Sequence, residues 1–291
     1  MDASEPQFDV QSRRSLSMLA GYLALTLLPT VAGAARHGSI LLPALHLCGL
    51  LLLFASARAN SANAFARLAS WMPLAAFPFL YVEIPGILSG FNITLHDRVV
   101  QGWESALFGG ASPAQTMAPW LAARLPGACV ALFSELVHAS YFAYYFMVLV
   151  PPVMLACRGR WRAFNHTVLA LTTVFVACFV LFLIFPAAGP RYLWPAPAGI
   201  PPGFFRALTM RVLEAGSSRG TAFPSSHVAI AVVASFAALR YQRPTGIVVA
   251  LLTLLMGVGA VYGGYHYAID VIAGLVLGLV IGARVLWRRQ I

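Results

Sequence analysis

Residues 164–187 read FNHTVLALTTVFVACFVLFLIFPA and contain no Asp, Glu, Lys or Arg. A helix needs about 20 apolar residues to cross the hydrocarbon core of a bilayer, and this run is long enough. Working outward, comparable apolar runs lie at about 16–33, 40–57, 70–90, 128–156, 224–240, 247–263 and 267–287. The composition agrees: of 291 residues, 60% are hydrophobic and 10% charged. A soluble domain carries about one quarter charged residues and could not hide this much apolar surface. The pattern predicts an all-α, polytopic transmembrane helical bundle of about eight spans with short interfacial helices. Disorder, coiled coil and collagen are excluded by the same composition. The four Cys (Cys48, Cys129, Cys157, Cys178) lie in or beside apolar runs and read as buried thiols rather than a disulfide framework.

One domain over 1–291 is expected. Residues 1–15 are polar and read as a cytoplasmic tail. The run 16–33 follows Arg13 and Arg14 as a signal peptide would. Pro29 and the lack of a small-residue cleavage site favour a retained helix. Residues 91–127 carry Asp97, Arg98, Glu104 and Arg124 between apolar residues and predict one or two interfacial helices. Within the Pro-, Gly- and Arg-rich stretch 188–223, residues 204–215 predict a short amphipathic helix. The last part, 185–287, reads as the catalytic core helices and outer loop.

All 19 basic residues are Arg. With eight spans both termini share one side. Twelve Arg fall on that side, including Arg13, Arg14, Arg67, Arg158, Arg288 and Arg289, and seven on the other. The positive-inside rule then places the termini in the cytoplasm, with a bacterial inner (plasma) membrane as the expected location. Four of the seven outer Arg (Arg191, Arg206, Arg211, Arg219) sit in the single loop 188–223, which suits an anionic ligand. The Arg form no stripe, so nucleic acid is not an expected partner.

Among seven His, His37, His46, His96 and His166 read as packing residues, whereas His227 and His266 have informative neighbours. His227 ends Thr221-Ala222-Phe223-Pro224-Ser225-Ser226-His227, where an apolar helix begins. Pro224 suits the first helical position, leaving the N–H groups of Ser225 and Ser226 free for an anion. An ordinary capped helix start is the plain alternative. His266 follows the turn Gly263-Gly264, and Asp270 lies four residues on, on one helical face. A carboxylate there can orient the imidazole, or simply pack two helices. Because 224–240 runs inward and 247–263 outward, topology brings His227, His266, Asp270 and Arg191 to the same outer surface.

These residues resemble the type 2 phosphatidic acid phosphatase superfamily. Its second motif, Pro-Ser-Gly-His, reads Pro224-Ser225-Ser226-His227 here. Its third, Ser-Arg, five residues, His, three residues and Asp, matches at His266 and Asp270, with Gly259 and Ala260 in place of Ser-Arg. Its first motif reduces to Arg191, with Tyr192 after it and no Lys. The form His-Tyr-x-x-Asp is similar to the branch of inositol phosphorylceramide and sphingomyelin synthases, which are phosphotransferases.

The resemblance implies a lipid phosphatase acting on a phosphomonoester or diphosphate at the outer face. His266, oriented by Asp270, would be the nucleophile that becomes phosphohistidine, and His227 the acid. Arg191, Arg219, Ser225 and Ser226 would bind phosphate; Arg206, Arg211, Glu135, His138 and Tyr265 are further candidates for lining the substrate, with Glu83 weaker. No cofactor and no metal are implied. The expected partners are a lipid phosphate and membrane lipids. A phosphotransferase is the first alternative and a non-enzymatic lipid transporter the second.

Overall fold

The computed structural model describes residues 9–37, 40–58, 68–91 and 94–287. Residues 1–8 of the expected tail, Arg67, Arg288, Arg289 and the His37 side chain lie outside the described residues. In chain order the helices are α1 (Val10–His37), α2 (Leu41–Ala57), α3 (Met72–Phe91), α4 (Asp97–Leu107), α5 (Pro113–Ala122), α6 (Gly127–Phe142) and α7 (Tyr144–Cys157). They continue as α8 (Trp161–Ile184), α9 (Pro190–Leu193), α10 (Phe204–Gly216), α11 (Ser226–Tyr241), α12 (Arg243–Tyr262) and α13 (Ala268–Gly282), which ends in a π-helical turn over Ala283–Trp287. Among the described residues there is no strand, only an isolated bridge between Ala187 and Thr221. The protein is an all-α polytopic bundle.

Each of the eight apolar runs forms helix, but not each forms a full-length span. Among the described residues, five helices (α1, α3, α8, α12 and α13 with its π turn) are long and apolar enough to cross a membrane. The run expected as one helix at 128–156 breaks at Ala143, where α6 and α7 meet at 47°. The halves serve different neighbours: α6 packs on α12 and α10, α7 on α11 and α8. Helices α2 and α11 are shorter. The 16 residues of α11 reach only about 24 Å at 1.5 Å per residue. Ala, Val and Ser dominate its buried face, and α7, α8, α12 and α13 surround it, so it is solvated by protein rather than lipid.

Three expectations need correction. Helix α1 starts at Val10, inside the stretch read as a tail, because the Asp9 carboxylate accepts the N–H groups of Gln11 and Ser12 as an N-cap. Three of the four Cys (Cys48, Cys129, Cys157) are exposed and only Cys178 is buried. On a membrane helix an exposed apolar position meets lipid, so an apolar run does not by itself imply burial in protein. Lastly, α11 begins at Ser226 with Ser225 as its cap, two residues after Pro224. Helices also form where the sequence expects short ones: 91–127 contains α4 and α5, and 204–215 falls in α10.

Two kinds of contact hold the bundle. Aromatic rings on α8 meet its neighbours, with Phe175 stacked on Phe77 of α3 at 3.7 Å and Phe179 near Tyr22 of α1 at 5.8 Å between centroids. A buried polar pair joins the first three helices: His46 Nδ1 lies 2.8 Å from Glu83 Oε2, and His46 Nε2 lies 2.9 Å from the Leu23 carbonyl. Glu83 is thus spent on helix packing. Close approach of α13 to α11 depends on Gly274, Gly278 and Gly282. A Cβ on Gly278 would lie 2.6 Å from the Ala229 carbonyl oxygen and 2.7 Å from Val232 Cβ. Small residues at this spacing let helix backbones touch. Gly278→Leu is therefore expected to cost about 1–3 kcal/mol of stability. Val280→Leu, on the exposed side of the same helix, is expected to cost little. Thermal unfolding in detergent compares the two.

Candidate active site

Three loops meet at one end of the bundle. The first follows α8 and includes the short α9 with Arg191, the second leads into α11, whose first turn carries His227, and the third joins α12 to α13 and carries His266. The third is a tight turn: Gly264 has φ +69°, and the Tyr265 and His266 N–H groups both donate to the Ala260 carbonyl, at 2.9 and 3.1 Å. The first and second loops are zipped by the Ala222 N–H donating to the Ala187 carbonyl at 3.0 Å. The second and third are joined by the Ser225 N–H donating to the Asp270 carbonyl at 2.9 Å.

The loops enclose a cavity of about 40 Å³, room for about three water-sized groups. It is lined by Arg191, His227, Tyr265 and His266, by Tyr81, Tyr141 and Tyr192, and by Ser217, Ser218 and Thr221. The His227 and His266 ring centroids are 6.3 Å apart. Tyr141 stacks on His227 at 5.3 Å and Tyr144 packs beside it at 4.4 Å. His266 Nδ1 lies 3.3 Å from Asp270 Oδ2, which also accepts the Tyr267 N–H at 3.0 Å. This pair forms differently from the helical-face expectation. His266 precedes α13, and Asp270 reaches back from the first turn as part of a cap. Both residues are buried. Arg191 donates from Nη1 to the Leu213 carbonyl at 3.0 Å and to Ser217 Oγ, so the end of α10 aims it at the cavity.

The other candidates lie elsewhere. Ser225 does not present a free N–H, since Asp270 takes it, and neither Ser225 nor Ser226 lines the cavity. Arg219 is exposed, with its guanidinium 5.8 Å from the Tyr192 ring centroid. Arg206 donates to the Ile200 carbonyl at 2.9 Å, and Arg211 is exposed. Glu135 accepts the Phe205 N–H at 3.1 Å, at the start of α10. His138 turns back to the Ser134 carbonyl at 2.6 Å, within its own helix. Among the described residues no group of three His, Cys, Asp or Glu is placed to hold a metal ion.

Several site residues were missed in the sequence. Tyr81 comes from α3, where its hydroxyl sits 2.9 Å from Thr221 Oγ1. Nothing around Tyr81 in the sequence distinguishes it from other aromatic residues of a membrane helix. In the sequence Asp97 and Glu104 read only as charges among the apolar residues of 91–127. Their spacing of seven, with Val100 between, marks one face of a helix, and that face is buried.

The family model described as the PAP2 superfamily matches residues 129–283, more than half of the chain. The chain belongs to the PAP2 superfamily. Comparison with curated proteins and with solved structures gives no match. Superfamily membership makes the protein a phosphoesterase-type enzyme, and the matched region contains all three loops of the cavity. In this PAP2 protein Gly259 packs on α6 so closely that a Cβ would lie 2.7 Å from the Val137 carbonyl oxygen. Ala260 beside it is fully buried. Gly259 thus has no room for a larger side chain, and among the described residues Arg191 is the one guanidinium lining the cavity.

Burial pushes the His266 imidazole down from an ordinary 6.5 to about 4. A lowered value means that the unfolded chain binds a proton, over the window between the two values, that the folded chain refuses. Stability then falls as the pH drops from about 6.5 to about 4. The thermal midpoint in detergent is expected to decrease over this window, and His266→Gln to flatten the decrease. An unchanged slope in the variant would assign the pH dependence to other groups.

Proposed function

We propose that this PAP2-superfamily member is an integral membrane lipid phosphatase that cleaves a phosphomonoester or diphosphate through a phosphohistidine on His266. The observation that carries the reading is one small cavity in which His266, held at Nδ1 by Asp270, faces His227 beside Arg191.

The chemistry follows from these positions. With Nδ1–H donated to Asp270, the other ring nitrogen of His266 keeps its lone pair and attacks phosphorus. The P–N bond forms as the bond from phosphorus to the lipid oxygen breaks. His227, taking up a proton as the substrate phosphate anion binds beside it, gives that proton to the leaving oxygen, and the lipid alcohol or phosphate departs. Arg191 balances charge on the non-bridging oxygens. Neutral His227 then takes a proton from water, which attacks phosphorus and breaks the P–N bond. Asp270 stabilises the His266 imidazolium character in both steps. Each step uses only protein groups and water, and no metal. The distribution of Arg supports cytoplasmic termini and a cavity on the outer face of a bacterial inner membrane.

Purified protein in detergent micelles containing EDTA is expected to release inorganic phosphate from at least one member of a panel of lipid phosphates. His266→Ala should reduce turnover by about 10³-fold or more, and Arg191→Ala by about 10²–10³-fold. Full turnover by His266→Ala would refute the nucleophile.

A second reading, a phosphotransferase moving a phospho-headgroup to an alcohol or lipid acceptor, is favoured by one feature. A site whose described lining holds one guanidinium and four phenols suits a phosphodiester monoanion better than a dianion. This reading expects little free phosphate and a new lipid that appears only when an acceptor alcohol is added, measured by chromatography of the lipid products.

A further inference from the structure

Helix α4 lies outside the matched residues 129–283, and none of its side chains lines the cavity. Its buried face nevertheless touches all three loops that form the cavity. Asp97 Oδ2 and Oδ1 accept the N–H groups of Ala188 and Gly189, both at 2.8 Å, just ahead of Arg191. Val100 packs with Ala187, Ala222 and Tyr267. Gln101 Nε2 donates to the Tyr267 hydroxyl at 2.8 Å. Glu104 Oε1 and Oε2 accept the first two N–H groups of α13, from Ala268 at 3.2 Å and Ile269 at 2.9 Å.

We infer that α4 is a brace that fixes the separation of Arg191 from the His266–Asp270 pair, with Asp97 and Glu104 as its positioning residues. The inference rests on the phosphohistidine reading of the site. Both carboxylates are buried, at 6% and 1% exposure. An unpaired carboxylate could not remain there as an anion, and here the cost is offset by charge-assisted bonds to backbone amides. Apolar contact alone would hold an interfacial helix on the bundle. Carboxylates aimed at particular amides do more, because they fix the path of the chain. Seven residues of helix separate the two grips by about 10 Å. A helical segment of this length is stiff, so each loop keeps its place relative to the other.

The two grips act on different halves of the site, which makes the brace separable by kinetics. Asp97 governs the backbone carrying the anion-binding Arg191. Asp97→Asn is therefore expected to raise the inhibition constant of inorganic phosphate and KM about tenfold, with kcat nearly unchanged. Glu104 governs the start of the helix carrying Asp270. Glu104→Gln is expected to lower kcat about tenfold, with phosphate inhibition nearly unchanged. These sizes correspond to loss of about one charge-assisted bond. Val100→Ala loosens the same face without touching an amide, and should lower the thermal midpoint without altering either constant. Should Asp97→Asn or Glu104→Gln fail to fold, Asp97→Glu and Glu104→Asp keep the charge and are expected to show the same split in smaller measure. Parallel losses in kcat and phosphate binding, tracking the loss of thermal stability, would reduce α4 to a packing element and overturn the inference. So would wild-type constants in both variants. His266→Ala in the same assay separates the two levels. If it retains full turnover, the phosphohistidine reading fails. If it is inactive while the α4 variants show no split, the brace alone fails.

Discussion

The Ser225 N–H donates to the Asp270 carbonyl at 2.9 Å, and the geometry of the site depends on this bond. It joins the cap of α11 to the first turn of α13. His227 is two residues beyond the donor, and His266 is four residues before the acceptor. The bond exists only because α13 comes against α11 without side chains between them: a Cβ on Gly274 would lie 2.4 Å from the Ser225 carbonyl oxygen. Two histidines from separate hairpins are thereby held at one spacing around a small cavity.

The distribution of polar groups reflects a bilayer's demands. Charged side chains are costly within hydrocarbon and tolerable where backbone amides or other partners meet them. At the cavity end, Asp97, Glu104 and Asp270 each accept backbone N–H groups. Glu104 also accepts the Ser112 hydroxyl, which ties α5's start to the same carboxylate. Within the first three helices the only described acid–base pair is His46 with Glu83. It acts as polar adhesive between α1, α2 and α3. The far end of the bundle uses Arg and His on carbonyls instead, as Arg160 does on Tyr241 and His166 on Val285.

Much of this was legible in the sequence. Apolar runs report membrane helices directly, because a helix in hydrocarbon must satisfy its own backbone and expose apolar side chains. The alternation of such runs is enough to place His227, His266, Asp270 and Arg191 at one end. The break at Ala143 was not legible, since no residue type there marks it and different neighbours on either side produce it. The helix start was misplaced by two residues because Pro224 fits a first helical position equally well as the loop that precedes one. Arg219 and Arg206 were grouped with Arg191 by sharing a loop. Sharing a loop says nothing of direction, and of the three only Arg191 is aimed inward, by contacts with Leu213 and Ser217.

The sequence by itself determined the class of fold, the number of apolar segments and the placement of His227, His266 and Asp270 at one end of the bundle. Those properties follow from solvent preference and chain alternation, which are local along the chain. The tertiary structure alone decided which cations face the cavity, that Tyr81 enters it from α3, and that Asp97 and Glu104 grip the loops from outside. Those properties depend on hydrogen bonds between residues as far as 165 positions apart, as Ile269 is from Glu104. Nothing in a local pattern carries such a pairing, because a backbone amide is chemically the same at every position and only the fold chooses which carboxylate meets it.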